Sequence, residues 1–264
     1  MTARAVKPLT RTLTWNCGGG VQSVAIGALI GMGELPVPEV MVMADTGREL
    51  SAPLAYLREH LNPYLQRTTG RRVELVDQSL ATVGLYSANN QLLIPAFTAG
   101  GGKLDTYCSN EWKKRVIQRY LRSLGYGPRR PVTTWIGISI DEIGRAKPSD
   151  VDWQEIAWPL LFIRPTRRAE CEAIIARAGL PPAVRSSCWM CPLHHDREWR
   201  HIRDNAPEDW KRAVAFDEAI RARDPGVFVH RSGLPLADAP LNEPERPPDL
   251  FGGVHACDSG HCYV

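Results

Sequence analysis

The chain has 264 residues, 44% hydrophobic and 23% charged, with seven cysteines and a net charge of +3. This length and apolar content support a full core and exclude a chain disordered throughout, while so small a net charge does not by itself argue nucleic-acid binding. The opening MTARAVKPL has no apolar signal-peptide core, and the longest apolar stretch, Val24 to Met32, is too short for a bilayer, so a cytoplasmic protein without a membrane partner is expected, its cysteines serving as thiols, metal ligands or redox groups.

In chain order, RTLTWNCGGGVQSVAIGALIGM (Arg11 to Met32) opens on a short strand pattern carrying Leu13 and Trp15. It passes through Cys17-Gly18-Gly19-Gly20 and enters an apolar helical run near Val21 that stops around Gly31 to Gly33. Strand, glycine turn and helix aim backbone N–H groups and a positive helix end at an anion, and Ser23 adds a hydroxyl in the first turn. Glu39 to Ala44 reads as a buried parallel strand ending at Asp45-Thr46-Gly47, with Glu49 just beyond. That places Asp45 at the carboxyl edge of a sheet, where open α/β sheets bind ligands. A helix from about Leu54 to Gln66 and a strand from Arg72 to Asp77 follow.

Residues 79 to 107 show no periodicity and read as a mobile loop or lid. Cys108 introduces a helix from about Glu111 to Leu124 that carries Lys113. A fourth strand, Pro131 to Ile138, runs into Gly137-Ile-Ser139-Ile-Asp141-Glu142 and Arg145, a strand end that offers hydroxyl and carboxylate groups beside a cation able to hold phosphate or sulfate. Trp158-Pro159-Leu160 reads as extended, and Thr166 caps a helix to Ala178. Arg164, Arg167 and Arg168 read as a solvated face. Cys188-x2-Cys191, His194 and His195 precede helices starting near Asp196 and Pro207, and a Pro-rich stretch leads to His255-Ala-Cys257-Asp-Ser-Gly-His261-Cys262. Successive βα units argue an α/β fold with a doubly wound, mostly parallel sheet over residues 10–180, followed by a helical, cysteine-bearing C-terminal extension over 181–264.

Two general phosphate-loop patterns fail on the glycine stretch. No Lys follows the glycines as G-x-x-x-x-G-K-[ST] requires, and Gly18, Gly20 and Ser23 lack the third glycine of G-x-G-x-x-G. Gly18 to Ser23, GGGVQS, instead resembles the S-G-G-x-D-S PP-loop of ATP pyrophosphatases and sulfonucleotide reductases, with Gly18 for the Ser and Gln22 for the Asp. Asp45-Thr46-Gly47 and Glu49 resemble the D-T-G-x-E segment of the phosphoadenylyl-sulfate (PAPS) reductase group. Cys108 with Lys113 resembles its C-x4-K segment, and Gly137 to Arg145 its second nucleotide-proximal segment. The resemblance implies an adenine nucleotide α-hydrolase-like fold. ATP would bind with Mg²⁺ through Gly18, Gly19, Gly20, Gln22, Ser23, Asp45, Thr46, Lys113, Gly137, Ser139, Asp141, Glu142 and Arg145.

Two thiolates at the C-x2-C spacing can hold one metal or one side of an iron–sulfur cluster, and neither is complete without ligands from elsewhere. Iron–sulfur sulfonucleotide reductases carry a Cys-Cys pair well upstream of C-x-x-C. This chain resembles that layout, with Ser109 where the second Cys of the pair would stand. Cys108, Cys188 and Cys191 are therefore expected to ligate a [4Fe-4S] cluster with one iron lacking a protein thiolate, an arrangement the resemblance associates with non-redox sulfur transfer. Cys257, Cys262 or a histidine could close the site. The alternative is zinc on Cys188, Cys191, His194 or His195, and Cys257 or Cys262. Cys171 reads as a packing thiol and Cys17 as a small buried residue.

The resemblance implies that a substrate oxygen attacks the α-phosphate of ATP, with sulfur then displacing AMP. The expected activity is an ATP-dependent sulfurtransferase acting on a nucleobase, nucleic-acid or small-metabolite acceptor, with Cys257, Cys262 and Asp45 as catalytic candidates and a sulfur donor as partner. The rivals are a PAPS or adenylyl-sulfate reductase served by a thioredoxin-like reductant, a non-catalytic nucleotide or nucleic-acid binding module, and a dinucleotide oxidoreductase.

Overall fold

The computed structural model describes residues 11–242. Cys257, Cys262, His255 and His261 lie outside the described residues. In chain order the elements are β1 (Thr12–Asn16), α1 (Val21–Gly31), β2 (Val40–Ala44), α2 (Ser51–Tyr56), α3 (Asn62–Thr69), β3 (Glu74–Val76), β4 (Phe97–Thr98), α4 (Arg115–Ser123), β5 (Val132–Ile136), β6 (Gln154–Ala157), α5 (Pro159–Phe162), α6 (Arg168–Arg177), α7 (Asp196–Asn205), α8 (Pro207–Arg223) and β7 (Val227–Phe228). Two π-helical segments, Leu57–Leu61 and Asn110–Lys114, join α2 to α3 and lead into α4.

Five strands form a parallel sheet in the order β3-β2-β1-β5-β6. This is the expected doubly wound α/β arrangement. On one face Trp15, Met41 and Met43 pack under α1, α3 and α6. On the other, Val42, Val76 and Val132 meet Val116, Ile117 and Leu121 around α4. Residues 21–30 of α1 are all buried, because sheet and helices enclose it; its apolar residues run all round rather than along one stripe.

The sequence did not reveal β6. Its Gln154-Glu155 start looks polar, yet Gln154 is buried and donates to Thr134 Oγ1 on β5 at 3.0 Å, while Thr134 pairs with Thr14 Oγ1 at 2.8 Å. A polar residue whose hydrogen bonds are met inside a sheet leaves no apolar signature. Trp158-Pro159-Leu160 is likewise not extended, since Pro159 opens the single turn of α5, a position where its missing N–H costs nothing.

A second core holds α7, α8 and β7, and it corrects the expected lid. Leu92, Leu93, Ile94 and Ala96 are buried there with Trp112, Trp199 and Val229, and β4 pairs antiparallel with β7. The stretch buries its apolar groups from irregular backbone, so neither helical nor strand periodicity marks it. Asp209 of α8 ties this core to the sheet, accepting from the Ser51 amide and hydroxyl at 2.9 Å each at the start of α2. No helix among the described residues is long and apolar enough to cross a membrane.

Candidate functional site

The strand order reverses between β1 and β5, and the carboxyl ends of these two strands carry the glycine loop and Gly137. Gly19 adopts φ +73°, and a Cβ there would sit 3.1 Å from Met43 Cε, so this bend takes glycine. The Gly18 amide donates to Ser23 Oγ at 2.9 Å, closing the loop on the helix it precedes. Gly20 is the helix N-cap and offers no side chain to cap it, and the Val24 amide makes the bond to Gly20 O. The amides of Val21, Gln22 and Ser23 therefore precede that first helical bond and point out of the helix start. Gly137 packs directly on this turn. A Cβ at Gly137 would meet Ser23 N at 3.0 Å and Ser23 Oγ at 3.1 Å.

Behind the loop lies a polar chain. Gln22 Nε2 donates to Ser139 Oγ at 3.4 Å, Ser139 Oγ donates to Asp141 Oδ2 at 3.1 Å, and Asp141 accepts from the Arg168 amide at 2.8 Å. The Arg168 guanidinium donates back to Gln22 Oε1 at 3.4 Å. Gln22, standing where the PP-loop pattern has Asp, thus links the helix start to the end of β5.

In front of the loop a cavity of about 300 Å³ opens. Its lining includes Gly20 to Ser23, Thr46 and Gly137 from the sheet edge, together with Cys108, Ser109, Lys113, Cys188 and Cys191. Glu142 and Arg145, ion-paired at 2.6 Å, also face it. Gly18, Gly19, Ser139, Asp141 and Asp45 are not among its walls: the first four support the lining from behind. Asp45 Oδ1 accepts from the Gly47 amide at 2.8 Å, the bond of a local turn. Lys113 reaches the cavity from the π-helical segment Asn110–Lys114 and pairs with buried Glu49 at 2.8 Å.

Sequence reasoning missed Arg168, Arg185, Ser186, Ser187 and Arg197, which also line the cavity. In the sequence Arg168 reads as part of a solvated face. Arg185 to Ser187 directly precede C-x-x-C, an adjacency that could have flagged them, but nothing in the helical pattern of Asp196 onward singles out Arg197.

The five described cysteines are all free thiols. Burial pushes Cys17 and Cys171 up to about 12, which makes them inert packing groups, as expected. Cys188 is raised well above the ordinary thiol value, by burial and then by the Glu49 carboxylate. Burial raises Cys108 as well, against the pull of Lys113. Arg48, stacked 4.2 Å over Trp112, adds a second cation whose field reaches Cys108 and Cys188.

His194 and His195 are not walls of the cavity. His194 is buried, its Nε2 lies 2.8 Å from the Cys188 carbonyl, and its Nδ1 faces Glu198 at 3.3 Å. That occupation argues against His194 as a zinc ligand. Among the described residues no three His, Cys, Asp or Glu side chains gather closely enough to hold a single metal ion. Three thiols spread around one cavity, with cations beside them, do fit the donor set of an iron–sulfur cluster.

No protein-family model matches the sequence, and no curated protein matches it either. Among solved structures the chain is similar to the U34-tRNA thiolase NcsA from Methanococcus maripaludis with its [4Fe-4S] cluster, at 10% identity and a TM-score of 0.43, over 83% of this chain and 74% of that one.

Proposed function

We propose that the chain is an ATP-dependent, adenylating sulfurtransferase of PP-loop type, with Cys108, Cys188 and Cys191 holding a [4Fe-4S] cluster. One observation carries this reading: a single cavity is lined both by an uncapped helix start after three glycines and by those three thiols. Few site types need both an anion cradle and soft metal ligands within one small volume.

In this reading the amides of Val21, Gln22 and Ser23 hold the pyrophosphate portion of ATP, with Mg²⁺ offsetting its charge. Arg145 and Arg168, which lines the same cavity beside Gln22, neutralise developing charge on the phosphates. A substrate oxygen attacks the α-phosphate, pyrophosphate leaves, and a sulfur nucleophile arriving from the thiol side displaces AMP. The cluster, when bound, supplies an iron able to bind additional sulfide. Cys257 and Cys262 remain candidates for delivering sulfur, from a donor that would be a separate partner. Residues 10–180 form the nucleotide part and 181–264 the extension, and the acceptor is a nucleobase, a nucleic acid or a small metabolite.

The test is product analysis on anaerobically reconstituted protein. Acceptor-dependent release of AMP and pyrophosphate from ATP is expected, and C188A should keep ATP binding while losing iron and turnover. Sulfite release from labelled PAPS without ATP would overturn the reading in favour of the reductase. ATP binding with no turnover, unchanged in C188A, would leave a binding module.

A further inference from the structure

Five cations line the cavity, and they are anchored to different parts of the chain. Arg145 and Arg168 belong with the glycine loop. Arg168 donates to Gln22 Oε1 at 3.4 Å, and the two arginines lie 2.6 and 3.9 Å from Glu142. Lys113 is taken by Glu49. Arg185 and Arg197 have another origin: Arg185 pairs with Glu198 in the first turn of α7, and Arg197 is the second residue of that helix.

Nothing in the chain neutralises Arg197. The carboxylates on either side of it are engaged, Asp196 by Arg231 at 2.8 Å and His230 at 3.1 Å, Glu198 by Arg185 and the His195 amide. Arg197 itself has no hydrogen bond or ion pair among the described residues. Ser186 and Ser187 line the cavity next to Arg185, and the Ser187 hydroxyl has no hydrogen-bond partner. Guanidinium and hydroxyl donors without acceptors of their own are the groups that hold an oxyanion, phosphate above all. They are fixed in place, because Leu50 N donates to Ser187 O and Trp189 N to Arg48 O, each at 2.9 Å.

Exposure tells which part of a ligand these groups meet. Arg185 and Arg197 are exposed, whereas Gln22, Ser23 and Thr46 of the same lining are buried. A volume of about 300 Å³ is at the small end for one drug-sized ligand, so bound ATP leaves no room for a second whole nucleotide. A second reactant reaches the interior with its reacting group while its phosphate stays at the solvent edge, where these arginines stand.

We propose that Arg185 and Arg197, with Ser187, form a second anion site that holds a phosphate of the sulfur acceptor. The acceptor is then a free nucleotide or a polynucleotide, and neither a bare nucleobase nor an uncharged metabolite. The inference rests on the sulfurtransferase reading and narrows its acceptor.

The experiment measures binding with the glycine loop already filled. Full-length wild type, R197Q, R197K and R185Q are saturated with Mg²⁺ and a non-hydrolysable ATP analogue, then titrated with a fluorescent random-sequence hexanucleotide, as RNA and as DNA. Nucleoside 5′-monophosphates are titrated likewise, with unphosphorylated nucleosides as the neutral control. ATP affinity is measured separately, with R168Q alongside. R197Q is expected to weaken the phosphate-bearing probe at least ~10-fold, the loss of a charge-assisted contact, and to leave ATP affinity unchanged. R197K, which keeps the charge but not the planar fork, should fall between. The salt slope of hexanucleotide binding should drop by roughly 0.7 in R197Q, the share of one phosphate contact on a single strand. Monophosphates binding as well as the hexanucleotide would make a free nucleotide the source of the phosphate; hexanucleotide binding alone would make it a polynucleotide. ATP affinity lost in R197Q as in R168Q would put Arg197 in the ATP site and overturn the inference alone. So would nucleosides binding as well as monophosphates, wild-type affinity for the probes in R197Q and R185Q, or a wild type that binds neither probe. A wild type that binds no ATP overturns the sulfurtransferase reading and the inference with it.

Discussion

At the scale of single residues, the site depends on groups that have little room to change. Gly137 is the sharpest case, because a methyl group there would press on the backbone of the helix start at 3.0 Å. G137A is expected to destabilise the fold by about 1–3 kcal/mol, as overpacking does, and to abolish the thermal shift that Mg-ATP produces in the wild type. His194 makes a second, pH-dependent prediction. Burial holds its pKa down at about 4, against an ordinary value of 6.5. Between those values the unfolded chain binds more protons than the folded one, so stability rises with pH there. The contribution is complete above about pH 6.5 and is lost as the pH falls toward 4. Urea unfolding across this range should show the slope, and H194Q should flatten it. Gln22 shows how a departure from a motif can be accommodated: the amide bridges Ser139 and Arg168, contacts that need both a donor and an acceptor and that no carboxylate could make alone.

At the scale of elements, the unexpected connections join the two cores. Asp209 of α8 satisfies the first amide of α2 from 158 residues away. D209A should lower the urea midpoint by removing two partly buried hydrogen bonds, a loss of about 1–3 kcal/mol, with D209N intermediate because it keeps one acceptor. Most α-helices and four of the five sheet strands were legible in the sequence, since their apolar spacing reports directly on what they bury. Gly20 as N-cap and Val21 as first helical residue fall where the glycine run predicts. The π turn at Asn110–Lys114 was not legible: its residues are ordinary helix formers, and only packing of Trp112 into the second core, with its indole N–H on Gly84 O at 3.0 Å, accompanies the altered winding. That same segment sets Lys113 against Glu49.

At the scale of the whole molecule, the cavity exists because the second core folds against the carboxyl edge of the sheet. Part of its lining is assembled from Cys108, from Arg185 to Cys188 with Cys191, and from Arg197 of α7, pieces separated by up to 89 residues of chain. With four arginines and Lys113 against one carboxylate, Glu142, on its lining, the cavity should favour polyanions. Fluorescent ATP binding is expected to weaken steeply between low and high salt, and R168Q to weaken it at least ~10-fold, the loss of a charge-assisted contact. Binding that ignores both salt and R168Q would place the nucleotide elsewhere.

By itself the sequence determined the parallel sheet and the glycine turn into α1, and it singled out three cysteines as candidates, because glycine runs, strand ends and C-x-x-C spacing act locally and leave local marks. Only the tertiary structure decided that these marks share one cavity, that residues 92–96 belong to a core instead of a lid, that Asp45 closes a local turn and does not line the cavity, and that Glu49 stands against Cys188. Each of those outcomes depends on which distant surfaces are buried together. Long-range burial is a property of the assembled chain, and neighbouring residues in the sequence carry no record of it.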